Sequence, residues 1–147
     1  MSFSKNYALD ADTGLIKRAP AQAALTATGY VGTQLDLLAS TAVDMVAVFN
    51  IESIVTAGAT GETYRLRIVG SNQANRSDAE LLAEITIGNA GQVGNTAETR
   101  APVAGDSIRL PFRTEKNRTR FRYVDTRLVV AGTAPSIAFN HYYSKEV

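Results

Sequence analysis

The sequence predicts an all-β fold, a jelly roll or β-sandwich of about eight antiparallel strands. First, apolar and polar residues alternate almost everywhere: Tyr64, Leu66 and Ile68, for example, alternate with Arg65 and Arg67. Such a period of two places one set of side chains in a core and the other at the surface. Second, turn segments rich in glycine, proline or asparagine separate the alternating segments, and third, no segment carries a convincing long helical pattern.

The N-terminal segment differs from the rest of the chain. Residues 1–22 lack a sustained apolar period and predict an extended N-terminal arm. The remainder has a length typical of one domain. We therefore expect an arm over residues 1–22 and a single jelly-roll domain over residues 23–147.

The clearest strand is Met45–Val55, which is rich in β-branched residues. Glu80–Ile87 is ambiguous, because Ser77 followed by Glu80 resembles a helix capping box, but its apolar alternation favours a strand. Gly32 separates the first two strands. The predicted strands, in chain order, are Thr26–Tyr30, Thr33–Leu37, Met45–Val55, Tyr64–Ser71, Glu80–Ile87, Ser107–Phe112, Arg118–Ala131 and Ser136–Tyr143.

Three local features refine this scheme. Pro111 cannot donate a backbone hydrogen bond, so its strand is expected at a sheet edge or near a strand end. The apolar phase changes along the seventh strand, which predicts a bulge near Val124–Thr126. Gly88–Gly105 has little apolar content and predicts a long loop. The alternation also predicts a core that includes Phe49, Leu66, Ile68 and Leu110.

The composition excludes several classes of protein. The chain has 147 residues, no cysteine and a formal net charge of +1. The lack of cysteine excludes disulfides and thiolate metal sites, and the balanced charge argues against a general nucleic-acid binder. The sequence has no run of about 18 apolar residues and so predicts no membrane-spanning helix. The N-terminus has no secretory signal pattern. We therefore expect a protein made in the cytoplasm whose partner is neither nucleic acid nor a membrane.

The search for catalytic groups is mostly negative. His141 is the single histidine, and a lone histidine in an alternating strand is most often a surface or core-edge residue. Carboxylates occur in two near pairs, Glu80 with Glu84 and Asp10 with Asp12, but nothing predicts that either pair spans a cleft. No phosphate-binding loop, EF-hand loop or nucleophile elbow is present. We expect no enzyme activity, no cofactor and no metal site.

Positive charge is concentrated between Arg109 and Arg127. The segment holds seven basic residues against Glu115 and Asp125, a net charge of +5, so the rest of the chain sums to −4. Because apolar residues run through it, the segment predicts strands that present arginines and not a disordered basic tail. Three interpretations stay open: a solvated strand face, a surface that docks onto an acidic protein, and nucleic-acid binding. The last is disfavoured because alternation separates the arginines from the aromatic residues.

The chain resembles the capsid cement (decoration) proteins of tailed phages. The resemblance rests on the opening arm and on the runs YRLRIVGSNQANRSDAELLAEITIG and IRLPFRTEKNRTRFRYVDTRLVVAGTAPSIAF, and it covers residues 40–140. It implies a jelly roll on the outside of an icosahedral head, where the protein bridges major capsid subunits and strengthens the shell. The family offers no catalytic residues to transfer.

This resemblance defines the expected partners and contacts. We expect a virion protein on the capsid exterior that binds the major capsid protein and associates with itself as a homodimer or homotrimer. Tyr30, Tyr142 and Tyr143 are secondary candidates: tyrosines near strand ends often seal a core edge, and exposed ones could instead anchor such self-association. The predicted capsid-binding residues are Arg109, Arg113, Arg118, Arg120, Arg122 and Arg127.

Two alternative functions remain. A carbohydrate-binding jelly roll would present an aromatic platform, whereas this chain has no tryptophan and only 7% aromatic residues. A small hydrolase would have to use Glu80, Glu84 or His141.

Overall fold

The computed structural model describes residues 15–56, 61–88 and 102–145, and these residues form strands and connections without a helix. Within this part of the chain there is accordingly no helix that could span a membrane. The strands are β1 (Ile16–Arg18), β2 (Gly29–Thr41), β3 (Asp44–Ile54), β4 (Thr63–Ser71), β5 (Glu80–Gly88), β6 (Ser107–Arg113), β7 (Glu115–Lys116), β8 (Thr119–Ala131) and β9 (Ile137–Lys145).

The strands form two antiparallel sheets. A four-stranded sheet has the order β1-β9-β3-β6, and a five-stranded sheet has the order β2-β8-β4-β5, with the short β7 paired to β8. Apart from the hairpin β4–β5 and the β7–β8 turn, successive strands pass from one sheet to the other, which is the winding of a jelly roll. The predicted all-β jelly roll is confirmed.

The core lies between the two sheets. Ala47 and Phe49 of β3 face Leu66 and Ile68 of β4, and all four are fully buried. Leu110 of β6 is 9% exposed and belongs to the same cluster. The core residues predicted from the alternation, Phe49, Leu66, Ile68 and Leu110, are therefore confirmed.

The two strands predicted around Gly32 form one strand, β2. Its pairing with β8 shifts between Val31 and Leu35, so Gly32 lies at an irregularity inside the strand and not in a turn between strands. Gly32 has a φ of +73°, and a Cβ there would lie 2.0 Å from the backbone oxygen of Lys17. Glycine is required because the backbone of β1 crosses β2 at this point.

The predicted arm and loop lie partly outside the described residues. Residues 1–14 and 89–101 are not described. Of the rest of the predicted arm, Ile16–Arg18 is a strand that pairs with β9, and the side chain of Lys17 is buried. The four-stranded sheet therefore begins within residues 1–22. The sequence pattern did not reveal this strand, because three residues are too few to show an apolar period.

Three further predictions concern β5, β6 and β8. Glu80–Gly88 is a strand throughout, so the helical alternative for this segment is wrong. Pro111 lies in β6, which is an edge strand as predicted. The register of β8 against β2 shifts between Thr126 and Val124, where the bulge was predicted, and again between Tyr123 and Phe121. At both places the extra residues lie on β2, and β8 pairs with β4 without a break from Tyr123 to Ala131.

Candidate functional site

The six arginines selected from the sequence do not form one patch. They divide between both sheets and the turn at the start of β8, because the segment that contains them crosses from one sheet to the other. Arg109 and Arg113 lie on β6, Arg118 in the β7–β8 turn, and Arg120, Arg122 and Arg127 on β8.

Two of these arginines form exposed ion pairs with carboxylates of their own chain. Nη1 of Arg113 lies 3.0 Å from Oδ1 of Asp44, its cross-strand neighbour on β3. Nε of Arg120 lies 3.2 Å from Oε2 of Glu115, its cross-strand neighbour on β7. Exposed pairs of this kind contribute little to stability, but they compensate the charge of both arginines.

Arg122 is compensated more completely. Its Nε and Nη2 donate to the two carboxylate oxygens of Asp36 at 2.8 and 3.0 Å, and its guanidinium lies 5.0 Å from the centroid of the Tyr123 ring. The hydrogen bonds lower the pKa of Asp36 and raise the pKa of Arg122. The positive charges of Arg113, Arg120 and Arg122 are therefore compensated by carboxylates of the same chain.

The outer face of the five-stranded sheet carries a second group of arginines. Strand alternation turns Arg65 and Arg67 of β4 away from the core, since Tyr64, Leu66 and Ile68 point into it. We call this surface the arginine face and define it by Tyr30, Arg65, Arg67, Arg76, Glu84, Asp125 and Arg127. Across the sheet, register places Glu84, Arg67, Arg127 and Tyr30 in one row, one residue from each strand.

Glu84 of β5 forms ion pairs with two arginines of β4. Its Oε1 lies 3.5 Å from Nε of Arg65, and its Oε2 lies 2.9 Å from Nε of Arg67. The contact with Arg67 is an ion pair without hydrogen-bond alignment, so the buried Nε of Arg67 has no hydrogen-bond partner among the described residues. One carboxylate therefore compensates two guanidinium groups.

Asp125 is held on the same face under Arg76. Nε and Nη2 of Arg76 donate to its two oxygens at 2.9 and 3.0 Å, and the side-chain amide of Gln34 donates a third bond at 2.9 Å. Asp125 is 3% exposed, so these bonds are needed to keep a carboxylate there. The same bonds raise the pKa of Arg76, whose guanidinium lies 4.2 Å from the centroid of the Tyr30 ring.

Two members of this group are candidate binding residues from the sequence: Arg127 for the capsid and Tyr30 for self-association. Arg65 and Arg67 were assigned to an outward face by alternation but not to a site. Arg76 lies in the β4–β5 connection, and no pattern in the sequence indicates that it reaches Asp125, 49 residues later.

His141 lies in the core between the sheets. Its ring is fully buried and stacks on Phe49 with centroids 4.1 Å apart. Its Nδ1 is 2.9 Å from the carbonyl oxygen of Val48, and its Nε2 is 2.7 Å from Oγ1 of Thr126, which is 2.6 Å from the hydroxyl of Tyr143. Burial lowers the pKa of His141 to about 3, which keeps the ring neutral.

These contacts fix the direction of every hydrogen bond in the chain of groups. A carbonyl oxygen only accepts, so Nδ1 of His141 carries the proton and Nε2 accepts from Thr126. Thr126 has then used its one hydrogen, so the hydroxyl of Tyr143 donates to Thr126. Burial raises the pKa of Tyr143. Tyr143 is therefore a core residue and not an exposed interface anchor, the second of the two roles considered for it.

The carboxylates considered for hydrolysis do not meet His141. Glu84 lies on the outer face of the sheet, paired with arginines, and Glu80 is exposed at the start of β5. Asp10 and Asp12 lie outside the described residues. Within residues 15–56, 61–88 and 102–145 no group of three or more histidine, aspartate or glutamate side chains could hold a metal ion.

Comparisons with known proteins give little support for a family. No protein-family model matches the chain, and no curated protein matches it. One similar solved structure contains the CBM22-1 and GH10 modules of the Clostridium thermocellum N-terminal endo-1,4-β-D-xylanase 10B in complex with xylohexaose. The match has 13% identity and a TM-score of 0.43, and it covers 99% of this chain but only 27% of that chain. The fold assignment therefore rests on the strand order of this chain itself.

Proposed function

We propose that this protein is a structural docking protein of a virion, a capsid cement protein that binds the outside of an icosahedral head. The arginine face carries the proposal: it is a rigid β-surface with more guanidinium groups than carboxylates. The resemblance of residues 40–140 to tailed-phage decoration proteins supplies the partner, the major capsid protein.

The physical requirements of such a role suit a jelly roll. A shell filled with packaged DNA is pushed outward, and a bound protein resists expansion by adding contacts across subunit boundaries. Each contact can be weak, because linked footprints raise the apparent affinity through a high effective concentration. A homodimer or homotrimer would supply such linkage, and light scattering of the purified protein measures its mass directly.

Attachment to capsids tests the proposed function. The purified protein is mixed with expanded, undecorated heads of the phage whose genome encodes the chain, and the mixture is sedimented. We expect the protein to pellet with the heads at a saturating, symmetry-related number of copies. A protein that stays in the supernatant at every concentration, or a gene with no capsid, portal or terminase gene beside it, would count against the proposal.

Carbohydrate binding is the second candidate, and the arginine face gives little support for it. Tyr30 is 38% exposed, but guanidinium groups of Arg76 and Arg127 lie 4.2 and 5.5 Å from its ring centroid. Tyr123 likewise has the Arg122 guanidinium near its ring. A sugar-binding platform needs a free aromatic face, which neither tyrosine offers. Binding of this protein to a glycan array would favour the carbohydrate alternative.

A further inference from the structure

Arg67 and Arg127 form a cross-strand pair of like charge. They are register partners on β4 and β8, in the middle of the five-stranded sheet. Like charges directly opposite one another destabilise a sheet. Both Nε atoms are buried and lack a hydrogen-bond partner in the part of the chain that the structure describes. The fold therefore holds two guanidinium groups together at a cost in stability.

The charges around this pair do not balance. The arginine face has four guanidinium groups, on Arg65, Arg67, Arg76 and Arg127, and two carboxylates, on Glu84 and Asp125, which leaves a net charge of +2. Asp125 accepts three hydrogen bonds from Arg76 and Gln34, and Glu84 is shared by two arginines. The described residues give Arg127 no ion pair with a carboxylate, and its guanidinium lies 5.5 Å from the centroid of the Tyr30 ring.

We propose that Arg67 and Arg127 are the centre of the docking surface and that they bind a carboxylate side chain of an acidic protein segment. A carboxylate between the two strands would accept from both guanidinium groups and relieve their repulsion. This inference rests on the proposed docking function and identifies the residues and the chemistry that carry it.

A protein carboxylate fits this surface better than a nucleic-acid backbone does. A planar carboxylate matches the two-pronged donors of Arg67 and Arg127. Glu84 and Asp125 on the same face interrupt the positive charge, so this face lacks the continuous basic groove that a nucleic-acid backbone follows. Arg113 and Arg120 are poorer candidates. Glu84 is shared by Arg65 and Arg67, whereas Arg113 and Arg120 each have a carboxylate of their own, Asp44 and Glu115. A partner would have to displace those carboxylates.

A pair of double variants tests the assignment. The test variant carries Arg67→Gln together with Arg127→Gln. The control variant carries Arg113→Gln together with Arg120→Gln, so it also loses two positive charges but at a different place on the molecule. Binding to expanded heads is measured by co-sedimentation, and binding to poly-L-glutamate by isothermal titration calorimetry. We expect the first variant to lose about tenfold or more in affinity for both, and the control to lose less than about threefold.

Two further measurements keep the result interpretable. Thermal melting checks that both variants are folded, and Arg67→Lys with Arg127→Lys retains the charges but not the two-pronged donors. If the arginine geometry matters, the lysine variant binds more weakly than wild type. Equal loss in the two glutamine variants, or no loss in either, would overturn the inference.

The outcomes also separate this inference from the proposed function. Poly-glutamate binding that depends on Arg67 and Arg127, without any binding to heads, would support the carboxylate site and overturn the capsid role. If the Arg67→Gln, Arg127→Gln variant binds heads as well as the wild type does, the capsid role would be supported and the carboxylate site would be overturned. A DNA duplex that binds more tightly than poly-glutamate and depends on the same arginines would overturn the choice of a protein partner, and a wild-type protein that binds no probe would overturn both.

Discussion

Thr126 and Arg127 are neighbours on β8, yet they belong to opposite kinds of polar cluster. Thr126 points into the core, where the groups from Tyr143 to Val48 satisfy each other's hydrogen-bonding atoms. Arg127 points outward, where cations exceed carboxylates and its Nε has no hydrogen-bond partner among the described residues. The core cluster is satisfied within the chain, whereas the arginine face keeps an excess of cations. This difference in pairing is the reason for proposing an anionic partner for one cluster and a purely structural role for the other.

Loss of the ring that supports His141 should have the largest effect. Phe49 is fully buried and stacks on His141, so Phe49→Ala leaves a cavity between the sheets. We expect the free energy of unfolding to fall by about 3–5 kcal/mol, measured by urea denaturation. Leu38→Ala is the control, because Leu38 is 79% exposed and its truncation should change stability by less than about 0.5 kcal/mol. A loss of under about 1 kcal/mol for Phe49→Ala would mean that the site collapses without a cavity.

Removal of one hydroxyl tests whether the core cluster is complete. Thr126→Val keeps the volume but leaves Nε2 of His141 and the hydroxyl of Tyr143 without a partner. We expect a loss of about 2–3 kcal/mol in the free energy of unfolding, since each unsatisfied buried group is costly. Thr126→Ser retains the hydroxyl and should lose about 1 kcal/mol. Equal losses in the two variants would show that packing and not hydrogen bonding dominates.

Acid should destabilise the same cluster. The pKa of His141 is lowered from its ordinary 6.5 to about 3 in the folded state, so the unfolded chain binds more protons between these values. Stability is therefore full above pH 6.5 and falls as the pH drops toward 3, by about 2 kcal/mol between pH 7 and 4.5. Urea midpoints across this range measure the effect. His141 is the single histidine, so a flat profile between pH 7 and 5 would contradict its neutral burial.

Substitution of Arg127 on the arginine face should show the smallest change in stability. Arg127→Gln removes one of two like charges, so we expect the free energy of unfolding to stay within about 0.5 kcal/mol of wild type or to rise slightly. Arg76→Gln is the contrasting change on the same face, because it leaves the buried Asp125 with fewer donors, and it should cost about 1–2 kcal/mol. Thermal melting of both variants measures the difference. The prediction is wrong if Arg127→Gln lowers the stability more than Arg76→Gln does.

Features that depend on strand alternation could be predicted from the sequence, whereas contacts between distant residues could not. Period two sufficed to place Phe49, Leu66 and Ile68 inside, because each strand buries one face. It could not reveal that Arg122 meets Asp36, 86 residues earlier, and so loses its availability to a partner. Nor could it place Lys17 in the interior, since burial there depends on β1 crossing β2 at its glycine. The arginine segment was identified correctly as unusual in charge, but its net charge of +5 says nothing about which arginines are already paired.

Pro111 has a consequence for how copies of this protein can associate. The N–H of Ile51 donates to Asp106 and its carbonyl accepts from Gly105, so the backbone groups of Val46, five residues away on β3, point toward β9. Pro111 is the partner of Val46, so its nitrogen, which carries no hydrogen, faces outward from the edge of β6. A second β6 could not hydrogen-bond there, which protects this edge from strand-by-strand aggregation at the high local concentrations of a crowded surface.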